Sequence, residues 1–275
     1  MPELPEVETV KRTLEEKIVG CKLTGLKIFM PKVVKAGEVD DLAGAIAGKR
    51  VVRMGRRGKY LLVYLENNLV LVVHLRMTGQ LVHSAPDQEL PKHTHVVFNL
   101  DNGKQLRFVD QRQFGRIYLV PANALDVLSG LRNMGLEPFD PDFTKEYFKK
   151  ELRNRRTKIK PLLLDQTFVA GIGNIYADEA LHRALIHPER PAYTLNPREA
   201  AKLYQAIKDV LEEGIANRGT SIKDYVDGEG RSGENQHQLR VYGREGQPCP
   251  KCKKPIHRIK VGGRSSYFCA RCQKI

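Results

Sequence analysis

The chain has 275 residues, enough for two domains that each bury a core. Lysine and arginine outnumber aspartate and glutamate 46 to 32, and the resulting +14 points to a polyanionic partner, nucleic acid first among them. No apolar run approaches a membrane span and the start lacks a signal-peptide core, so a soluble, cytoplasmic protein without a membrane partner is expected.

The chain opens Met1-Pro2-Glu3-Leu4-Pro5-Glu6. Pro2 is small enough for the initiator methionine to be removed, which leaves a proline with a free secondary amine. An α-amino group titrates at about 7.7–8.0, so part of it is an unprotonated nucleophile at neutral pH. Such an amine attacks an electrophilic sugar carbon and forms an iminium, while Glu3 and Glu6 are carboxylates suited to proton transfer. Val7, Val10, Leu14 and Ile18 then recur at helical spacing, with Pro5 in the first turn and Gly20 as a stop. The positive end of that helix would disfavour protonation of the amine and steady Glu3. An ordinary helix start uses the same residues, so this stretch alone does not decide between the two readings.

Short β-rich runs follow to about residue 120. Residues 59–65 and 69–75 read as strands around Glu66-Asn67-Asn68, and residues 95–100 and 105–108 flank Asp101-Asn102-Gly103-Lys104, where Asn-Gly signals a tight hairpin. A further strand is expected at 115–120 and a short helix at 123–133, followed by a proline-bearing linker at 135–141. From residue 143 the pattern becomes helical, with helices expected at 143–154, 159–165, 174–183 and from Pro197 to about Arg218. Residues 220–235 are polar and glycine-rich and read as a mobile loop. The composite is α+β: an N-terminal β-sandwich with helices over residues 1–133, a linker and helical start over 134–150, a helical domain over 151–235 and a cysteine hairpin over 236–275.

Four of the five cysteines form two CxxC pairs, Cys249/Cys252 and Cys269/Cys272, separated by the 16 residues 253–268. That spacing fits one zinc ion held by four thiolates, a closed and therefore structural site. The fifth, Cys21, reads as buried filler. Val261-Gly-Gly-Arg264 places an arginine at the hairpin tip, where one guanidinium can meet a phosphate. Gly171-Ile-Gly173-Asn174 opens a helix behind the basic run Arg153, Arg155, Arg156, Lys158 and Lys160, an arrangement suited to phosphate. Met77 in His74-Leu-Arg76-Met77-Thr-Gly79 and Phe114 in Asp110-Gln-Arg112-Gln-Phe114-Gly115 either wedge into a base stack or pack into their own sheet; residue type alone favours packing. His93 and His95 lack a third ligand and read as hydrogen-bonded structure, and Lys59 follows Gly58 at a strand entrance beside Arg53, Arg56 and Arg57.

Taken together, PELPEVET, RRGKYL, HLRMTG, DQRQFG, GIGNIYADE, VYGR and the CxxC…CxxC end closely resemble the bacterial formamidopyrimidine-DNA glycosylases, over nearly the whole chain and in the same order. The resemblance implies a β-sandwich, a helix–two-turn–helix module and a zinc hairpin, acting as a monomer on damaged double-stranded DNA near the bacterial nucleoid. It implies a bifunctional glycosylase and abasic-site lyase that excises oxidised purines through a Pro2 Schiff base and cleaves by β,δ-elimination. Glu3 and Glu6 would handle protons, Lys59 β-elimination, and Arg264 δ-elimination and phosphate. Met77, Arg112 and Phe114 would fill the void left by the extruded base, with Arg112 facing the orphan cytosine. His93, Arg155, Lys160, Asn174 and Tyr242 match backbone-binding positions. The sister endonuclease VIII group, which takes oxidised pyrimidines, usually begins PEGPE, and Leu4 points away from it. A non-enzymatic DNA-binding module or an RNA binder would leave the Pro2 motif without a use. Arg112-Gln-Phe114-Gly115 departs from the common Arg-Arg-Phe-Gly or Arg-Lys-Phe-Gly, and residues 220–235 drift most.

Overall fold

Helix α1 (Leu4–Ile18) begins where Pro5 presets the first turn and ends before Gly20, whose φ of +90° no side-chain-bearing residue adopts readily. Its buried face, Val7, Val10, Leu14 and Ile18, joins one core with residues from two sheets. The computed structural model describes residues 1–36 and 42–275 and resolves into two units: Met1–Arg132 with Ile215–Gln236, and Asn133–Gly214 with His237–Ile275.

In the first unit the strands are β1 (Leu23–Ile28), β2 (Val34–Ala36), β3 (Val51–Arg57), β4 (Tyr60–Leu65), β5 (Leu69–His74), β6 (Gly79–Ser84), β7 (Thr94–Leu100), β8 (Gln105–Asp110) and β9 (Arg116–Pro121). They form a four-stranded sheet ordered β1-β7-β8-β6 and a five-stranded sheet ordered β2-β9-β5-β4-β3. Pairing is antiparallel except for β2 on β9. Helix α2 (Leu42–Ile46) adds Leu42 and Ile46 to the core. The run Leu69–Val73 is apolar throughout because both faces of β5 are covered. Leu71 and Val73 meet the opposing sheet, whereas Val70 and Val72 pack with Leu125, Leu128 and Leu131 around helix α3 (Ser129–Arg132). The expected helix at 123–133 is thus a 3₁₀ turn at Leu125–Val127 followed by α3. Strands β1, β2, β3 and β6 had no clear signal; β3, for example, reads as a basic cluster and pairs with β4 from Val51 to Arg57.

The second unit holds α4 (Lys145–Arg153), α5 (Ile159–Leu164), α6 (Asn174–Ala184), most of α7 (Pro197–Ala216) and the hairpin β10 (His257–Val261) with β11 (Arg264–Phe268). Thr144 caps α4 by accepting from the Tyr147 amide. Residues 135–141 are built into this unit rather than looped out, since the Gly135 amide donates to the Gln166 carbonyl and Leu136 bridges to Val169.

Residues 220–235, read from sequence as a polar loop, are held by hydrogen bonds along their length. They lie in the first unit and fold back on α1, where the Gly228 amide donates to Thr13 Oγ1 at 2.9 Å and the His83 amide to the Gly228 carbonyl at 2.8 Å. The Tyr225 ring enters the sandwich core, so one aromatic anchor fixes a stretch whose composition reads as loose.

Candidate functional site

The N-terminal residues are held by helix geometry. Glu3 is the N-cap of α1; its amide donates to Glu6 Oε2 at 2.8 Å and its side chain accepts from the Glu6 amide, a closed capping box. Pro2 lies buried just outside the helix, at its positive end, and Glu3 is 2 % exposed. Glu6 also receives the Thr220 amide on Oε1 at 2.7 Å, and the Tyr225 hydroxyl donates to the Glu6 carbonyl at 3.3 Å. One buried carboxylate therefore ties the N-terminus to the 217–235 segment. Gly219 makes the close approach with φ +82°, where an added Cβ would meet Tyr225 at 2.9 Å and Glu6 at 3.0 Å. Burial and the nearby Glu6 carboxylate push the Tyr225 phenol well above its usual range, so it stays a neutral donor.

Lys59 stands at the two-residue turn joining β3 to β4, with Arg57 and Tyr60 paired across it and Gly58 at φ +55°. It is buried, and its field helps that of Arg76 to reinforce the burial that drives neighbouring His74 down to about 3. Neutral His74 accepts the Arg76 amide on Nδ1 at 3.0 Å and stacks edge-on against Tyr60, which braces the turn carrying Met77.

Asp110, wholly buried, knits the Met77 turn to the arginine loop. Its Oδ1 accepts from Thr78 Oγ1 at 2.5 Å and from the Arg112 amide at 3.2 Å, and its Oδ2 from the Gly115 amide at 2.7 Å. Gly115 is required there, because a Cβ would lie 2.5 Å from the Phe108 ring. Phe114 is 48 % exposed and does not enter the sheet, whereas Met77 is half-buried. The Arg112 guanidinium lies over the Phe114 ring at 5.0 Å. His93 is half-buried with φ +71°, and His95 is buried with Nε2 2.7 Å from the Asp110 carbonyl, a structural role as expected. Asp110, Thr78 and His74 were missed as supports, although all three lie inside motifs the sequence displays.

In the second unit, Gly262 and Gly263 both take positive φ, and Val261 pairs with Arg264 across them, so Arg264 stands exposed at the tip of the β10–β11 hairpin. Arg155 is exposed beside Glu151, and Tyr242 packs edge-on to Tyr267 at 5.1 Å. Asn174 heads α6 and donates to the Ser265 carbonyl at 3.1 Å. Lys160, matched above to a backbone-binding position, is 0 % exposed; its Nζ lies 2.7 Å from Asp178 Oδ1 and donates to the Ser265 carbonyl at 2.7 Å, so it braces the hairpin tip from beneath. Burial pushes the Asp178 carboxyl up to about 7 despite Lys160 and the Tyr267 amide, both of which pull it down. Glu179, the next residue on α6, receives the Arg240, Val241 and Tyr242 amides at 2.9 Å each.

Cys249, Cys252, Cys269 and Cys272 converge with all four sulfurs within 4.8 Å of one another. Zinc–thiolate bonds of about 2.3 Å in a tetrahedron require sulfurs about 3.8 Å apart, so the four residues fit one ion with no open position. Among the described residues this is the one cluster of three or more metal-ligating groups that could hold an ion.

Three family models match in chain order: the formamidopyrimidine-DNA glycosylase N-terminal domain over residues 1–117, its H2TH domain over 134–226, and a zinc finger found in FPG and IleRS over 246–275. The formamidopyrimidine-DNA glycosylase of Pelotomaculum thermopropionicum is 59% identical over 252 residues, covering 92% of this chain and 91% of the relative. Two Lactococcus lactis Fpg structures superpose at 38% identity: a point mutant with Fapy-dG-containing DNA (TM-score 0.94, 100% of both chains) and a complex with abasic-site DNA (TM-score 0.93, 99% of this chain and 100% of that one). Sandwich, helix–two-turn–helix and four-cysteine finger together define a zinc-finger class of DNA-repair protein. The chain belongs to the formamidopyrimidine-DNA glycosylase family.

Proposed function

We propose that this chain is a base-excision repair enzyme that removes oxidised purines, formamidopyrimidines and 8-oxoguanine among them, from duplex DNA and then cuts the abasic strand. The observation that carries the reading is the N-terminus itself: a buried proline at the positive end of α1, beside a carboxylate fixed by a capping box. An N-capping role alone is served by an exposed serine or aspartate; a buried glutamate next to a secondary amine suits proton transfer at that amine.

Once Met1 is removed, the Pro2 nitrogen attacks C1′ of the damaged nucleotide and the C1′–N bond breaks, its electron pair leaving with the base, which takes up a proton. Glu3 moves the proton that opens the sugar ring at O4′, and loss of the nitrogen lone pair to C1′ gives the iminium. That cation acidifies the C2′ proton, whose removal expels the 3′-phosphate; a second elimination expels the 5′-phosphate. Glu6 holds the cap and the 217–235 segment, Lys59 serves the first elimination, and Arg264 meets phosphate. Met77, Arg112 and Phe114, exposed or half-buried on two loops joined through Asp110, fill the emptied stack. His93, Arg155, Asn174 and Tyr242 contact the backbone, and the enzyme works as a monomer in the cytoplasm. The zinc ion, when bound, supplies no chemistry to these steps; its four thiolates hold the hairpin that presents Arg264.

Borohydride trapping on duplexes carrying 8-oxoguanine opposite cytosine, or an oxidised pyrimidine, tests the reading by intact mass and peptide mapping. A covalent adduct on Pro2 with the purine lesion is the expected result. No adduct from Met-free, zinc-loaded protein on either duplex would overturn it, and an adduct on the pyrimidine alone would move the protein to the endonuclease VIII type of substrate.

A further inference from the structure

Helix α6 carries three buried polar side chains that reach the C-terminal segment: Asp178 to the Tyr267 amide, Glu179 to the 240–242 amides, and His182, one turn beyond Asp178. His182 is 4 % exposed and its Nε2 lies 3.5 Å from Cys249 Sγ, within reach of an N–H···S hydrogen bond. A zinc-bound thiolate has no proton to give, so the imidazole must be the donor, with its hydrogen on Nε2. The other ring nitrogen, Nδ1, is buried without a hydrogen-bond partner among the described residues. A residue there only to fill space would be apolar, whereas this position retains a buried polar ring whose one hydrogen-bond contact among the described residues is to sulfur. The knuckle has a second tether nearby: Gln273 donates to the Ile186 carbonyl at 2.8 Å just past α6 and receives the Cys269 amide at 2.9 Å.

We infer that His182 is a positioning residue of the zinc site, its Nε2–H donating to the Cys249 thiolate and locking the metal knuckle to α6. Drawing charge from one sulfur of a cluster with four thiolates on a divalent ion makes that sulfur a poorer target for protons and oxidants. The hairpin bearing Arg264 is thereby anchored to the same helix that holds its strand through Asp178. The inference concerns metal retention and stands whether or not the excision chemistry proposed above is right.

The test uses the zinc-loaded full chain and its His182→Phe variant, which keeps an aromatic ring at the site. Zinc transfer to a competing chelator should run about 10- to 100-fold faster in the variant. In the cobalt-substituted proteins, the thiolate-to-cobalt charge-transfer band should move to lower energy, because an unbonded sulfur holds its electrons less tightly. Release within about twofold of the parent, or faster release with an unmoved band, would reduce His182 to packing and overturn the inference. If the variant fails to fold, nuclear magnetic resonance of the parent loaded with ¹¹³Cd decides. Scalar coupling between the metal and the His182 Hε2 proton supports the bond; a hydrogen on Nδ1 instead refutes it.

Discussion

Lys160 and Asp178 form a wholly buried ion pair, with Nζ 2.7 Å from Oδ1, and Lys160→Met is the perturbation that tests what it does. Truncating one partner of such a pair costs about 3–5 kcal/mol, because the other charge stays buried without compensation. Asp178 already sits at about 7 with Lys160 beside it, so in the variant it retains its proton near neutrality, and the cost there should fall at the lower end, about 3 kcal/mol. The sign with pH follows. A carboxyl whose folded pKa exceeds its unfolded 3.8 favours folding fully below the unfolded value, and that contribution is lost as pH rises through the folded one. Loss of Lys160 raises the folded value further, so the variant's deficit should be constant below about pH 7, where both proteins keep Asp178 protonated, and grow above it toward pH 8 and beyond. Urea unfolding of the zinc-loaded chain reads this as a midpoint lowered by about 1–3 M at pH 8, for slopes of about 1–3 kcal/mol/M. Adding Asp178→Asn removes the buried charge and keeps an acceptor for the Tyr267 amide, so the double variant should recover most of the loss. A pH-independent deficit, or a double variant no more stable than Lys160→Met, would refute the argument.

Gly219→Ala should cost about 1–3 kcal/mol, since a positive φ and contacts of 2.9–3.0 Å to Tyr225 and Glu6 leave no room; thermal unfolding together with lesion excision checks it, and an unchanged variant would mean the 217–235 segment is not held as described. Glu6→Gln leaves one acceptor for two inward-pointing amides, those of Glu3 and Thr220, and should destabilise by about 1–3 kcal/mol and slow excision more than it weakens DNA binding, measured by single-turnover kinetics and titration. The logarithm of DNA affinity should fall linearly with the logarithm of salt concentration, and Arg155→Ala should reduce the slope by about one, whereas Lys160→Met, compared under conditions where both remain folded, should not change it, because that lysine is buried.

Local chemistry made much of this protein legible in one dimension. The α1 stripe, the Asn-Gly hairpin, the paired CxxC motifs and the Gly-Gly-Arg tip each carry their instruction within a few residues, and each takes the expected form. Strands β1, β3 and β6 escaped notice because their partners, not their own periodicity, make them strands. Burial was the other quantity that composition hid. Lys160 sits in a basic run whose neighbours are exposed, and only the fold places Asp178 against it. Residues 220–235 have the glycine and polar content of a loose loop, yet Tyr225 enters the sandwich core and its hydroxyl reaches the Glu6 carbonyl, 219 residues earlier in the chain. Phe114 was the opposite case: an apolar residue left outside the sheet because Asp110 and Gly115 shape the loop beneath it. Sequence alone therefore determined the chemistry available, namely a secondary amine, carboxylates, basic loops and a thiolate cluster. Tertiary structure decided which of those groups are buried supports and which stand exposed, because desolvation depends on neighbours that only folding brings together.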